Sequence, residues 1–111
     1  MSERNELESL AGAPFDVDSI VGYQDGAVVS RTLVDAESAT LTAFALDEGQ
    51  SISEHSAPHT ALVQIVDGVA EIDVDGEPNE VEEDEALVLP ADVPHALDAP
   101  ERFKMLLTMI R

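Results

Sequence analysis

From Ile20 onward the chain consists of short apolar runs rich in β-branched residues, many of them separated by two-residue turn signals. The turn signals are Asp25-Gly26, Glu48-Gly49, Asp67-Gly68 and Asp75-Gly76. Such pairs supply the positive φ angles of tight hairpin turns. Strands are predicted over residues 20–24, 27–34, 39–46, 51–55, 60–66, 69–74, 79–82, 86–89, 95–98 and 102–110. No helical period of comparable length competes with them, and the pattern indicates an all-β sandwich or barrel.

The alternation of side chains along two of these runs predicts which face of each is buried. In residues 69–74, Glu71 and Asp73 share one face, which should meet solvent. Asp67-Gly68 and Asp75-Gly76 bracket this run as the middle strand of a meander. In residues 60–66, Val63 is expected to point inward together with Ala61 and Ile65, which sends Gln64 to the opposite face.

The length of 111 residues and a hydrophobic content of 44% suit one domain with one core. Residues 1–18 are polar and acidic, and they are expected to form an N-terminal arm or a short helix. Residues 19–111 are expected to form the β-barrel domain. With only four aromatic side chains and no Trp, its core must be filled mainly by aliphatic residues.

The acidic balance is the strongest compositional signal: 24 Asp and Glu face 5 Lys and Arg, giving a net charge of −19. Binding to nucleic acid is excluded, because it needs clustered cations. Self-repulsion of this size is tolerable in concentrated salt, so halophilic adaptation is predicted. Regular apolar runs argue against a disordered acidic chain. No apolar stretch resembles a signal peptide or a membrane span, so a cytoplasmic protein without membrane contact is expected.

The chain has no cysteine, so any metal ion must be held by nitrogen and oxygen ligands. Its three histidines are His55, His59 and His95. The spacing of the first two is that of a helical metal pair, but Pro58 lies between them and the flanking residues indicate a loop. His55 ends one predicted strand and His95 begins another, so closure of a barrel would bring these two imidazoles together.

Two stretches resemble the metal-binding motifs of the cupin superfamily. Gly49, His55 and Gly68 match the frame of the first motif, and Pro90 and His95 match the second. The resemblance implies a double-stranded β-helix, that is, a jelly-roll barrel. It also implies a divalent transition metal ion, Zn, Mn, Fe, Ni or Cu, held by His55 and His95.

The chain departs from both motifs at positions that matter for chemistry. The second histidine and the glutamate of the first motif are replaced by Ala57 and Ala61, the glycines of the second motif by Asp84 and Asp92, and its asparagine by Ala99. A stable site normally has at least three protein ligands. His59 is the candidate third ligand, because its loop could fold back over the barrel mouth. Met105 is a weaker candidate, since Met in such a run is more often core.

Two functional hypotheses follow. The first is a metal-binding cupin with a small apolar pocket formed by residues such as Val63, Ile65, Val88 and Leu97; it could be an enzyme of the oxygenase or isomerase kind found in the superfamily. The second is a non-enzymatic module that binds or senses a small molecule and whose histidines are satisfied by backbone carbonyls. Arg31 either anchors an anionic ligand or lies on the surface.

The strand predicted at the C-terminus is apolar on both of its faces. One face can pack on the core and the other on a partner, so a homodimer is expected. The acidic run over residues 77–85 is interpreted as a solvated loop and sheet edge.

Overall fold

Strands account for most of the computed structural model, which describes residues 3–111. They are β1 (Arg4–Asn5), β2 (Val28–Asp35), β3 (Ala39–Leu46), β4 (Ser51–His55), β5 (Thr60–Val74), β6 (Glu77–Glu82), β7 (Ala86–Leu89), β8 (His95–Asp98) and β9 (Phe103–Ile110). Two short 3₁₀ helices, η1 (Glu6–Leu10) and η2 (Val17–Ile20), precede β2. The all-β prediction is confirmed. Within the described range, neither helix has the length or apolar character to cross a membrane.

The strands form two antiparallel sheets that share β5. In the first sheet the order is β1-β2-β3-β9-β5-β7, and in the second it is β6-β5-β8-β4. The first half of β5 pairs with β9 and β7, and its second half pairs with β6 and β8. Because one strand runs through both sheets, their inner faces are held against each other, and the predicted jelly-roll barrel is confirmed.

The hairpin predicted at Asp67-Gly68 is wrong, because β5 continues through it as a single strand. The pairing with β9 shifts register between Ile65 and Asp67. Gly68 has a φ of 76° and lies so close to β9 that a Cβ there would overlap the carbonyl oxygen of Arg102. The glycine therefore serves the close crossing of two strands, which local sequence does not distinguish from a turn.

The register shift also reverses which side chains of β5 point inward. Before it, Val63 is buried together with Ala61 and Ile65, while Gln64 is exposed, as predicted. After it, Ala70 and Ile72 are buried and Glu71 is exposed, which confirms the predicted acidic face. At Asp75-Gly76 both residues have positive φ, 53° and 82°, so this predicted hairpin turn is confirmed.

The strand predicted over residues 20–24 is also wrong. Ile20 ends η2, and irregular chain follows it. Ile20 and Val21 pack on the outer face of the first sheet, against Leu33 among others. Backbone carbonyls here are bound by cationic side chains rather than by a neighbouring strand: Arg31 Nη1 donates to the carbonyl of Ile20 at 3.0 Å. Apolar side chains at this spacing thus cover a sheet instead of extending it.

A second set of polar contacts attaches the same segment to the barrel. The buried Lys104 donates from Nζ to the carbonyl of Asp18 at 2.8 Å and to its Oδ1 at 3.1 Å. Tyr23 donates from its hydroxyl to Asp67 Oδ2 at 2.6 Å, and the guanidinium of Arg102 stacks 4.5 Å from the Tyr23 ring centroid. Burial is the main cause of a raised pKa at Tyr23, so its hydroxyl keeps its proton as a hydrogen-bond donor.

The interior of the barrel holds the main core. Its fully buried side chains come from both sheets and are aliphatic apart from one aromatic ring and one thioether: Leu46, Val63, Ile72, Phe103 and Met105. Upstream of the barrel, β1 pairs with the edge of β2, with Arg4 opposite Asp35. The N-terminal segment therefore lies along the edge of the first sheet, whereas His55 and His95 belong to the second sheet.

Candidate metal centre

His55 and His95 lie directly opposite each other on β4 and β8. Their ring centroids are 4.3 Å apart, the ring planes meet at 71°, and the two Nε2 atoms are separated by 3.1 Å. The predicted convergence of these imidazoles across forty residues is confirmed. It depends on antiparallel pairing of β4 with β8, which places the end of one strand beside the start of the other.

Both rings are oriented in the same way by the backbone. His55 Nδ1 lies 2.9 Å from the carbonyl oxygen of Ser53, and His95 Nδ1 lies 3.2 Å from that of Val93. A carbonyl oxygen only accepts, so each Nδ1 must carry a proton in order to donate to it. In a neutral ring the other nitrogen, Nε2, then has a free lone pair. The two lone pairs then face each other at 3.1 Å, a separation at which they can share a proton in an Nε2–H···Nε2 hydrogen bond or bind one metal ion together.

His95 is the buried member of the pair, with 7% of its surface exposed, whereas His55 is exposed. Burial lowers the pKa of His95, the carbonyl of Val93 raises it by a smaller amount, and the charge of His55 lowers it again. The net effect favours the neutral ring, which is the form that binds a metal ion.

A cavity of about 180 Å³ lies under the histidine pair. Its apolar walls come from both sheets and include Phe44, Ile52, Val63, Leu97, Met105 and Leu107. Val63 and Leu97 were predicted pocket residues. Ile65, although buried, is not in the wall, and the prediction for Val88 is wrong, because its side chain is 53% exposed on the outer face.

Several wall residues were not identified from the sequence as pocket residues, among them Phe44, Ile52 and Leu107. All three belong to strands that the pattern did predict. Phe44 and Leu107 have the parity of buried residues on their strands, which is the signal that would have found them. No residue of β4 is buried, so Ile52 has no such signal. Met105, considered above as a metal contact, is buried and lines this wall.

His59 lies half-buried in the loop between β4 and β5. Across residues 3–111, no group of three or more His, Asp or Glu side chains is arranged to hold a metal ion. At the two positions where the family motif has further ligands, Ala61 is buried and Ala57 is half-buried. The structure thus brings two of the three predicted ligands together, and a role for His59 stays a prediction.

The cationic side chains make their contacts away from this cavity. Arg31 Nε lies 3.3 Å from Glu6 on the outer side of the first sheet, so the structure places it on the surface rather than in a ligand site. Arg4 also pairs with Glu6, and Arg111 with Asp35. Lys104 and Arg102 are held by the contacts to Asp18 and Tyr23 described above, and no Lys or Arg side chain contributes to the described cavity wall.

Two departures from the family motif keep its backbone geometry. Asp84 and Asp92, which stand in place of glycines, have φ angles of 69° and 64°. Asp tolerates the left-handed region better than most residues, because its short side chain can form local hydrogen bonds. At both positions Asp therefore holds a left-handed backbone conformation of the kind that glycine adopts without strain, and it adds negative charge to the surface.

Comparison with known proteins supports the architecture. The Cupin domain family model matches residues 43–110, more than half of the chain. A solved structure of a conserved protein of unknown function from Streptococcus pyogenes is 40% identical, with a TM-score of 0.90, over 100% of this chain and 96% of that one. No curated protein is significantly similar in sequence.

Two further solved structures differ in how far the likeness reaches. A Cupin 2 conserved barrel domain protein from Leptotrichia buccalis is 41% identical with a TM-score of 0.85, and the match covers 87% of this chain and 47% of that protein. Salicylate 1,2-dioxygenase from Pseudoaminobacter salicylatoxidans, solved with gentisate, is 17% identical with a TM-score of 0.71, over 75% of this chain and 25% of that enzyme. The match to salicylate 1,2-dioxygenase shows only that the two proteins share a fold. Together with the matched family model, the barrel shows that the chain belongs to the cupin family.

Proposed function

We propose that this protein binds one divalent transition metal ion at the barrel mouth, through the Nε2 atoms of His55 and His95. The observation that carries the proposal is the 3.1 Å separation of two Nε2 atoms whose rings both use Nδ1 for a backbone carbonyl. Such carbonyl contacts are the usual way in which proteins fix the tautomer and direction of a ligating histidine.

The spacing of the two nitrogens fits shared coordination. With metal–nitrogen bonds of about 2.0–2.1 Å, two donors at this separation subtend roughly 95–100° at the ion, between octahedral and tetrahedral angles. Imidazole suits Zn, Cu, Fe and Ni, and affinities generally rise toward Cu. The remaining positions would be taken by water, by a bound small molecule or by His59.

The chain's own groups set what such a site can do. The carbonyls of Ser53 and Val93 hold the imidazoles in place, and the apolar wall, including Phe44 and Leu97, keeps water away from one side of the pair. A bound divalent ion would supply Lewis-acid polarisation of an oxygen atom, or an open position for oxygen. An oxygenase or isomerase activity is compatible with this arrangement.

Metal analysis tests the proposal directly. Protein without an affinity tag, purified in high salt, should contain close to one transition metal ion per chain after loading and dialysis. His55→Ala and His95→Ala should each lose it, because one imidazole is too weak a site. Glu54→Ala, beside His55 and exposed, is the matched control and should keep it. Metal far below one per chain, or unchanged in both histidine variants, would refute metal binding. His59→Ala, measured alongside, reports whether a third ligand contributes.

A second candidate function is non-enzymatic binding of a small molecule. It is favoured by Ala57 and Ala61 at the positions of the missing motif ligands, together with a cavity that persists under the two histidines. In that case the parent protein would hold no more metal than the His55→Ala and His95→Ala variants, and it would still bind its ligand after treatment with a chelator.

A further inference from the structure

The size of the cavity limits what can occupy it. Its volume of about 180 Å³ is close to that of an engineered cavity of about 150 Å³, lined by Leu, Ile and Phe, which stays dry and binds benzene. The walls here are of the same kind and include Phe44, Ile52 and Leu107. One small ring fills this space, and a nucleotide or an oligosaccharide is too large to be enclosed in it.

The polarity of the cavity limits the ligand further. The imidazoles of His55 and His95 are the polar side chains that line it, and no Lys or Arg is found in the described wall. In the metal-free protein, an anionic ligand would lose its hydration there without gaining a counter-ion. The net charge of −19 also disfavours its approach. A single hydroxyl group, in contrast, can donate a hydrogen bond to an imidazole Nε2.

We infer that the cavity binds a small uncharged ring compound bearing one hydroxyl group, with the ring against the apolar wall and, in the metal-free protein, the hydroxyl donating to an Nε2 atom of the histidine pair. This inference rests on the proposed function in one respect, because it assigns the ligand and the metal ion to the same histidine pair. The apolar walls and the hydrogen-bond acceptors are present without a metal, so ligand binding is measurable in metal-free protein.

The test uses the full chain, treated with a chelator and kept in high salt, with phenol, toluene and benzoate as probes. Methyl NMR spectra should show phenol and toluene shifting the resonances of Ile52, Val63 and Leu97. Benzoate should bind at least about ten-fold more weakly than phenol, since its charge is not compensated. The inference is overturned if benzoate binds as well as phenol, or if phenol leaves these methyl resonances unchanged.

Two variants locate the ligand. Val63→Leu adds volume to the fully buried wall and should weaken phenol and toluene binding together. His55→Ala removes one acceptor together with part of the wall, so it should weaken phenol about five-fold more than toluene, which loses only contact with the ring. Glu54→Ala is the matched control for both probes. If His55→Ala weakens the binding of phenol and toluene equally, the hydroxyl contact is refuted. The comparison in His55→Ala tests the hydroxyl contact even if Val63→Leu does not fold.

The outcome is separable from that of the metal proposal. Phenol binding in protein that holds no metal after loading would refute the metal proposal and support this one. Metal binding through both histidines, with no probe entering the cavity, would refute only the present inference.

Discussion

Gly68 marks the point where β5 leaves the first sheet and enters the second, so its replacement tests how the barrel assembles the histidine site. Its φ of 76° is strained for any L residue, and a Cβ would overlap the Arg102 carbonyl oxygen and lie 2.9 Å from the Cα of Phe103. Beyond this point β5 pairs with β8, with Val74 opposite His95. We therefore expect Gly68→Ala to loosen both the crossing and the histidine pair.

The expected magnitude has two parts. Placing Ala in the left-handed region costs about 1–2 kcal/mol. Moving the start of β9 to relieve the overlap displaces Phe103, which is fully buried, and adds about 2–3 kcal/mol as overpacking strain. The sum of about 3–5 kcal/mol is a large share of a typical domain stability of roughly 5–15 kcal/mol. With an unfolding entropy of about 2.1 cal/mol/K per residue, this destabilisation lowers the Tm by roughly 13–21 °C.

Thermal unfolding followed by circular dichroism in high salt measures this effect. Gly76→Ala is the matched control, because Gly76 has a similar φ of 82° but open space within 4 Å of the position that a Cβ would take. In Gly76→Ala the Tm should fall only by the amount that corresponds to the cost of Ala at positive φ, roughly 4–8 °C. Equal Tm losses in the two variants would show that the crossing tolerates a side chain, and the reasoning about Gly68 would be wrong.

Three further predictions concern the backbone, the charge and the surface. Asp92→Gly should change the free energy of unfolding by less than about 0.5 kcal/mol, whereas Asp92→Val should lower it by about 1–2 kcal/mol, because Val is strained at positive φ. Thermal unfolding measures both variants, and an Asp92→Val protein as stable as the parent would contradict the role of positive φ. Removing salt should lower the Tm, because the repulsion of an excess of 19 negative charges is no longer screened; a Tm independent of salt would count against halophilic adaptation. We propose a homodimer through the outer face of β5, β7 and β9, where Leu62, Val88 and Ile110 are exposed. Sedimentation in high salt should show a dimer that Val88→Asp dissociates, and an 11.9 kDa species for the unchanged chain would refute the dimer.

Much of the strand structure was predictable because its signals are local. Alternation placed Ala61, Val63 and Ile65 inside, and β3, β4, β7 and β8 have the predicted bounds. The two failures share a cause. Asp67-Gly68 and residues 20–24 carry ordinary signals of a turn and of a strand, but their conformation is set by what packs against them, namely the start of β9 and the outer face of the first sheet.

The candidate site was predictable in part. Motif spacing selected His55 and His95, and the register of β4 with β8 brings them into contact. The cavity wall was harder to predict, since Phe44 and Leu107 come from strands far from either motif. The contacts that aim the rings were not predictable, because the carbonyls of Ser53 and Val93 are backbone atoms that every residue has.

By itself the sequence determined the all-β class, the family resemblance, the absence of thiolate chemistry and the two histidines, because periodicity, composition and motif spacing are written in neighbouring residues. Only the tertiary structure decided the 3.1 Å approach of the Nε2 atoms, the shape of the cavity and the need for glycine at residue 68. These depend on strand register and on close packing between segments distant in the chain, and such contacts exist only after the sheets have closed on each other.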